Sequence, residues 1–227
     1  MGLSPTVTQY SGATAPVREL ALCVAQGFAD YNGWQWMMGA HAAAPCSSWL
    51  LDRQISKMLT SKPAVAYTVP ITCDGDLVGV AAVAFLVRCS PSAPPAPPQT
   101  LLEQASLLWN LGPRMALKLS QFNAAVGALH DRDAAGEHYM ISFVSVVPNQ
   151  QRHGLASKVM KAVLATVDGE ELPCYLFTAN DFNEQWYTKH GFVTRSRRGM
   201  GAITAGPHAG EEMVLRSMLR PAASKRR

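Results

Sequence analysis

Phe143-Val144-Ser145-Val146-Val147-Pro148-Asn149-Gln150-Gln151-Arg152-His153-Gly154-Leu155-Ala156 is the stretch that decides how this chain is read. It opens on β-branched and aromatic residues, which predict a strand, and Pro148-Asn149 ends that strand. From Leu155 to Val167 the apolar residues Leu155, Val159, Ala162, Val163 and Val167 fall on one helical stripe. Between strand and helix lies a loop with Gly154 and the small Ala156, which let a ligand approach the backbone closely. A helix N-terminus offers free N–H groups and about half a positive charge, so it binds phosphate. Arg152, His153 and Lys158 add positive side chains. No Gly-Lys-Ser/Thr follows, so this is not a triphosphate loop, and the three-glycine spacing of a dinucleotide fingerprint is missing. By itself Gln-x-x-Gly-x-Ala is common, arising by chance in roughly one or a few chains in ten of this length. Its meaning comes from what surrounds it.

Downstream, Leu172 to Thr178 reads as a strand. Asp181 to His190 reads as a short helix closed by Gly191, and Phe192–Arg197 with Glu212–Arg220 as a last pair of strands. Upstream, His138 to Val147 is the strand that enters the loop. Ala64–Thr72 and Leu77–Arg88 are β-rich segments joined through Asp74-Gly75, a hairpin signal. The second is apolar on both faces and so is expected in the middle of the sheet. Helices are predicted over Val17–Ala29 and Ser47–Leu59, with Trp34-Gln35-Trp36-Met37-Met38 between them as core packing or as an apolar wall for a ligand. A proline-rich loop (89–99) precedes a helical insertion (about 100–130) broken at Gly112-Pro113, placed to cover a cleft. The pattern predicts an α/β (α+β) fold: a mixed, mostly antiparallel central sheet flanked by helices.

The chain's 227 residues suit one domain, 1–227, with its ligand-binding core at about 138–193. Apolar residues make up 48% and charged residues 16%, enough for a core and unlike a disordered chain. The net charge of +4 is mild, and part of it sits in the basic tail 221–227, so nucleic-acid binding is not expected. The five cysteines are widely spaced without zinc-ligand spacing, which predicts reduced thiols, a cytoplasmic location and no metal. No apolar run reaches the roughly 20 residues of a membrane span, and no basic-then-apolar N-terminus suggests a secretory signal. Gly2 falls in a loose myristoylation pattern, with Pro5 an unusual residue within it.

With its neighbours, the stretch resembles motif A of the GNAT N-acetyltransferases. Asn-Asp-Phe-Asn-Glu-Gln-Trp-Tyr-Thr-Lys-His-Gly-Phe (180–192) resembles their motif B. Phe28-Ala-Asp-Tyr31, Gly112-Pro-Arg-Met-Ala116 and Asn183 four residues before Tyr187 resemble the puromycin N-acetyltransferase-like branch. The resemblance implies acetyl-coenzyme A as co-substrate and a primary amine on a small molecule as acceptor. It implies backbone groups of Val144, Ser145 and Val146 along the pantetheine arm, one N–H polarising the thioester carbonyl. Gln151, Arg152, His153, Gly154, Leu155, Ala156 and Ser157 would hold the pyrophosphate, Asn183 would assist, and Tyr187 would protonate the departing thiolate. A phenol near pKa 10 gives its proton to a thiolate near 8.5 at a cost of only about 2 kcal/mol.

The base is less defined. Relatives of the histone type carry a carboxylate at the position of Met140, and bacterial N-terminus acetylases at that of Tyr175; neither residue takes a proton here. His138 shares the strand face of Met140 and is the candidate base, although a lone strand histidine is more often structural, and deprotonation through water is the other route. The missing carboxylate suggests a weakly basic acceptor. An α-amine of pKa about 7.7 is uncharged in roughly one molecule in six at pH 7, a lysine-like amine in about one in 2,500. A protein or peptide acetyltransferase, and a non-catalytic acyl-CoA sensor, are the alternatives. Monomer and homodimer both fit.

Overall fold

The computed structural model describes residues 2–3, 6–42, 45–61, 63–92 and 100–225. Residues 93–99 of the proline-rich loop, Met1, Ser4 and Pro5 near the N-terminus, and Arg226-Arg227 of the basic tail lie outside the described residues.

The chain builds one mixed sheet of eight strands. Strands β1 (Gly2–Leu3) and β2 (Thr8–Ser11) both pair with one side of β3 (Ala64–Cys73), β2 along Val65–Thr68 and β1 at Ile71–Thr72. Pro70, which has no N–H to donate, falls between the two stretches, and the pairing to the next strand is irregular there. Asp74 and Gly75 both have positive φ (53° and 93°), the conformation a two-residue hairpin turn requires, and they lead into β4 (Asp76–Cys89). Val80 to Val87 are buried throughout, as expected of a central strand.

Beyond β4 lies β5 (His138–Val146), then β6 (Cys174–Thr178), β8 (Glu212–Arg220) and the edge strand β7 (Val193–Ala202). Every pairing is antiparallel except β5 with β6. That parallel pairing is short. It joins only Tyr139 to Cys174 and Met140 to Tyr175, after which the two strands part.

Helices cover both faces. On one side lie α1 (Val17–Phe28), α2 (Asn32–Met38), α3 (Pro45–Ser61) and α4 (Leu101–Asp133), packed around Leu20, Val24, Trp34, Leu51, Ile55 and Phe85. On the other lie α5 (Leu155–Gly169) and α6 (Asp181–Thr188), whose Val159, Met160, Val163 and Tyr187 pack against Tyr139, Ile141 and Leu176. Helix α4 starts in a full capping box, Thr100 with Glu103, and bends at Gly112, whose φ of 74° is non-helical, just before Pro113. The element is therefore two helical segments that meet at a kink, as the break at Gly112-Pro113 predicts. No helix among the described residues is long and apolar enough to cross a membrane.

Candidate active site

The parting of β5 from β6 opens the main cleft, of ≈ 1250 Å³. A site for one drug-sized ligand holds about 300–1,000 Å³, so there is room here for a large ligand and a second molecule beside it. The cleft runs from the loop before α5 (Gln150–Ser157), past Ile141–Val146 of β5, to Arg88, Cys89 and Ser90 at the end of β4.

Three devices shape its wall. The first is the departure of β5 from regular pairing. Ala84 pairs with Val144 but Leu86 with Ile141, so β5 holds one extra residue opposite Phe85 and bulges there. Residues Ile141–Val146 line the cleft, and along them β5 has no pairing to β6 among the described residues. The second is the loop. Arg152 (φ 63°) and Gly154 (φ 75°) are left-handed, and this turns the chain abruptly into α5. Lys158 N–H donates to Gly154 O at 3.0 Å, so the N–H groups of Leu155, Ala156 and Ser157 precede the helix's own ladder. Gln151 Nε2 donates to Val146 O (3.2 Å) and ties the loop to the strand end. These free donors, with the exposed Arg152 and His153 beside them, fit a pyrophosphate.

The third device is α6. Its N-cap is Asn180, whose Oδ1 accepts from Asn183 N–H at 2.8 Å. At its other end Phe192 N–H donates to Tyr187 O and Gly191 N–H to Thr188 O, with Gly191 at φ 84°, a Schellman ending. The Tyr187 ring meets Phe192 edge-on at 5.8 Å, the apolar contact of that motif. Asn183 and Tyr187 are thus fixed one turn apart, and both line the cleft.

Tyr187 is only 8% exposed, and burial raises its pKa well above the usual phenol range, with the neighbouring Tyr31 phenol adding to the effect. Tyr31 is likewise raised by burial, although Ala179 N–H donates to its Oη at 2.6 Å. Both phenols hold their protons at neutral pH. Ser145 lines the cleft, and its hydroxyl is turned onto α1, donating to Cys23 O at 2.8 Å.

Sequence reasoning named the loop, Val144–Val146, Asn183 and Tyr187, and the structure brings these together on one cleft except for His153, which is exposed and not among the residues lining it. It did not single out Tyr31 or Gly27, although Phe28-Ala-Asp-Tyr31 was one of the short matches. A Cβ on Gly27 would stand 2.2 Å from Ser145 Oγ and 2.9 Å from Val146 O, so only glycine lets α1 lie this close to β5. His138, expected as the base, is elsewhere. It is 3% exposed at the far end of β5 and is not among the residues lining the cleft. At about 3.3 Å per residue it lies roughly 20 Å along the strand from Val144, beyond the reach of one bridging water. Burial holds its pKa below the ordinary imidazole value. Its Nε2 stands 2.9 Å from Nε2 of His130, and its pairing partner is Cys89. Cys89 and His130 escaped spacing-based reasoning because the proline-rich loop and most of α4 separate them.

The sequence profile of the acetyltransferase (GNAT) family matches residues 34–192. No protein of curated function matches the chain significantly in sequence. Among solved structures it is similar to arylalkylamine N-acetyltransferase 2 from Aedes aegypti, with TM-score 0.63, 14% identity, and 95% of this chain and 99% of that one covered. It is also similar to the Drosophila melanogaster polyamine N-acetyltransferase that forms N-acetylagmatine (TM-score 0.59, 7% identity, 94% and 99% covered). A third is a histone acetyltransferase HPA2-related acetyltransferase from Corynebacterium glutamicum (0.57, 16%, 96% and 97%). At these identities the likeness is one of fold.

Proposed function

Since this chain belongs to the acetyltransferase (GNAT) family, we propose that it moves an acetyl group from acetyl-coenzyme A to the primary amine of a small molecule, by direct attack with both substrates bound. The observation that carries this reading is the single cleft on which the unpaired edge of β5, the α5 N-terminus and Tyr187 meet. Bound there, the coenzyme supplies an activated acetyl thioester. Residues 151–157 would hold its pyrophosphate through backbone N–H groups, with Asn183 beside them. The open backbone of Val144–Val146 would pair with the pantetheine arm as a further strand.

Tyr187 would donate the proton that the leaving sulfur takes up. Burial does not disqualify it. The same loss of hydration that lifts the phenol lifts a thiol beside it, so the gap of about 2 kcal/mol between them is carried over. Deprotonation of the amine is assigned to water in the cleft, because His138 is buried and not among the residues lining it.

The acceptor end is lined by Phe28, Tyr31, Trp34, Phe122, Phe143 and Phe177. Phe28 lies edge-on to Tyr31, Trp34 and Phe143 with centroids 5.0–6.5 Å apart. Such a wall favours an acceptor with an apolar or aromatic body and a weakly basic amine. The bend of α4 at Gly112-Pro113 and the cleft-lining Phe28 and Tyr31 fall on the segments that resemble the puromycin-type branch, in keeping with a compact organic acceptor.

The test is thiol release from acetyl-coenzyme A against a panel of amines at neutral pH. Amine-dependent release that is faster for α-amines and aromatic amines than for lysine-like ones is expected. Preference for lysine side chains in peptides would replace the small-molecule acceptor with a protein. Tight coenzyme binding with no amine-dependent release for any amine would identify a sensor instead.

A further inference from the structure

We propose that Cys89, His130 and His138 form a binding site for a divalent cation of the zinc class, beside the acceptor end of the cleft and independent of acetyl transfer. The three residues come from three elements: the last residue of β4, the last turn of α4 and the first residue of β5. One ligand atom from each lies within 4.8 Å of the other two.

The hydrogen bonds around the rings decide what the ring nitrogens carry. His138 Nδ1 is 2.9 Å from the Gly136 carbonyl, which only accepts, so Nδ1 bears the proton. His130 Nδ1 faces a carboxylate oxygen of Asp131 at 3.3 Å, which also only accepts. With both imidazoles neutral, both Nε2 atoms are then lone-pair atoms, and they face each other at 2.9 Å. Two lone pairs at that distance repel unless a positive charge lies between or beside them.

An Nδ1–H held by a carbonyl and another held by a carboxylate are the outer contacts that orient metal-bound histidines. Tyr175 braces the pair, its ring edge-on to His130 at 5.2 Å and to His138 at 6.4 Å. A thiolate and two imidazoles are a donor set for a borderline ion, not for magnesium or calcium.

With metal–nitrogen bonds near 2.0–2.1 Å and metal–sulfur near 2.3 Å, tetrahedral ligand pairs stand about 3.3–3.6 Å apart. The two Nε2 atoms, 2.9 Å apart, would therefore part by about 0.4 Å, while any pair near the 4.8 Å limit would close by roughly 1 Å, both within the range of side-chain rotation about a half-buried Cys89 and His130. Binding replaces the Cys89 thiol proton, which leaves to solvent, and no electron is transferred. Three protein ligands leave one position for water or for a group from the cleft, whose wall includes Cys89. The ion would pin the end of α4 to β4 and β5.

The test is titration of the reduced, full-length protein with cobalt(II) chloride, followed by absorption. One ion per chain, a thiolate-to-cobalt charge-transfer band and release of a proton are expected. Cys89→Ser should abolish the band, and His130→Ala should weaken binding at least about tenfold. Absence of the band in the wild-type protein would overturn the proposal, and would mean that the two imidazoles share a proton instead. Equal cobalt affinity in the variants would overturn it as well. If a variant fails to fold by circular dichroism, the wild-type band and stoichiometry alone decide. None of these readouts depends on acetyl-coenzyme A, so the site and the transferase reading fail separately.

Discussion

Replacing Gly27 with alanine tests how the cleft wall is built. The added Cβ would stand 2.2 Å from Ser145 Oγ, 2.9 Å from Val146 O and 3.3 Å from Val146 N. Two of these neighbours are backbone, so rotating one side chain does not clear the site. Turning the Ser145 hydroxyl away would relieve the shortest contact but would break its 2.8 Å bond to Cys23 O, costing about 1 kcal/mol. Pushing α1 off β5 to relieve the rest costs about 1–3 kcal/mol by analogy with overpacked cores. Gly27→Ala is therefore expected to destabilise by about 2–4 kcal/mol, slightly offset by alanine's better helix propensity. Ser145→Ala alone should cost about 1 kcal/mol. In the double variant the 2.2 Å contact is gone while the Val146 contacts remain, so the two changes should couple favourably by about 1–2 kcal/mol. Urea denaturation of the four proteins closes the cycle. The displaced residues are the ones offered to the pantetheine arm, so the KM for acetyl-coenzyme A should rise in Gly27→Ala and partly recover in the double variant. Additivity within about 0.5 kcal/mol would mean that α1 and β5 adjust independently, and the reasoning would fail.

Tyr187→Phe removes the proposed acid but keeps the ring between Trp186 and Phe192; kcat should drop about 10²–10⁴-fold with little change in coenzyme KM, and an unchanged rate across a wide pH range would remove Tyr187 from the mechanism. Asn180→Ala deletes the α6 N-cap and should cost about 1 kcal/mol by denaturation while weakening coenzyme binding through Asn183; a change below about 0.3 kcal/mol would show that the cap adds nothing. Alkaline pH should destabilise the fold. Burial raises Cys23 from 9.0 to about 12 and raises Cys174 still further, so the folded protein keeps protons that the unfolded chain loses. Their contribution is complete below pH 9 and falls by up to about 1.4 kcal/mol per pH unit for each thiol as pH rises toward the folded values. Stability measured from pH 7 to 10.5 should be level and then fall, whereas a rise above pH 9 would contradict the burial of these groups.

What was legible in the sequence was what local chemistry specifies. Asp74-Gly75 gave the hairpin because a two-residue turn needs positive φ at both positions. Gly191 gave the end of α6, and the stripe from Leu155 to Val167 gave α5, because period and cap reside in neighbouring residues. Tyr187 was found because its helix and its motif are contiguous. The break at Gly112-Pro113 was legible too, since a glycine that leaves helical φ/ψ and the proline after it act locally. The place of His138 was illegible for a different reason. Strand periodicity reports which face a side chain takes, and His138 does share a strand with Val144, but it says nothing about where along that strand the cleft opens. That is set by the extra residue opposite Phe85 and by the loss of pairing after Met140, both of which depend on partners far away in sequence. The meeting of Cys89 with His130 and His138 is likewise a product of topology.

The two pairs that join β5 to β6 also bear on how the molecule responds to load. Five strands lie on one side of this seam and three on the other, and along the seam itself the sheet is held by two rungs at one end. A sheet fastened in this way behaves as two leaves on a spine. Amides of Ile141 to Val146 that face the gap should exchange with solvent far faster than those facing β4 on the same strand. On the proposed reading the coenzyme closes the open margin with its own amides, so each catalytic cycle would stiffen and release the whole molecule.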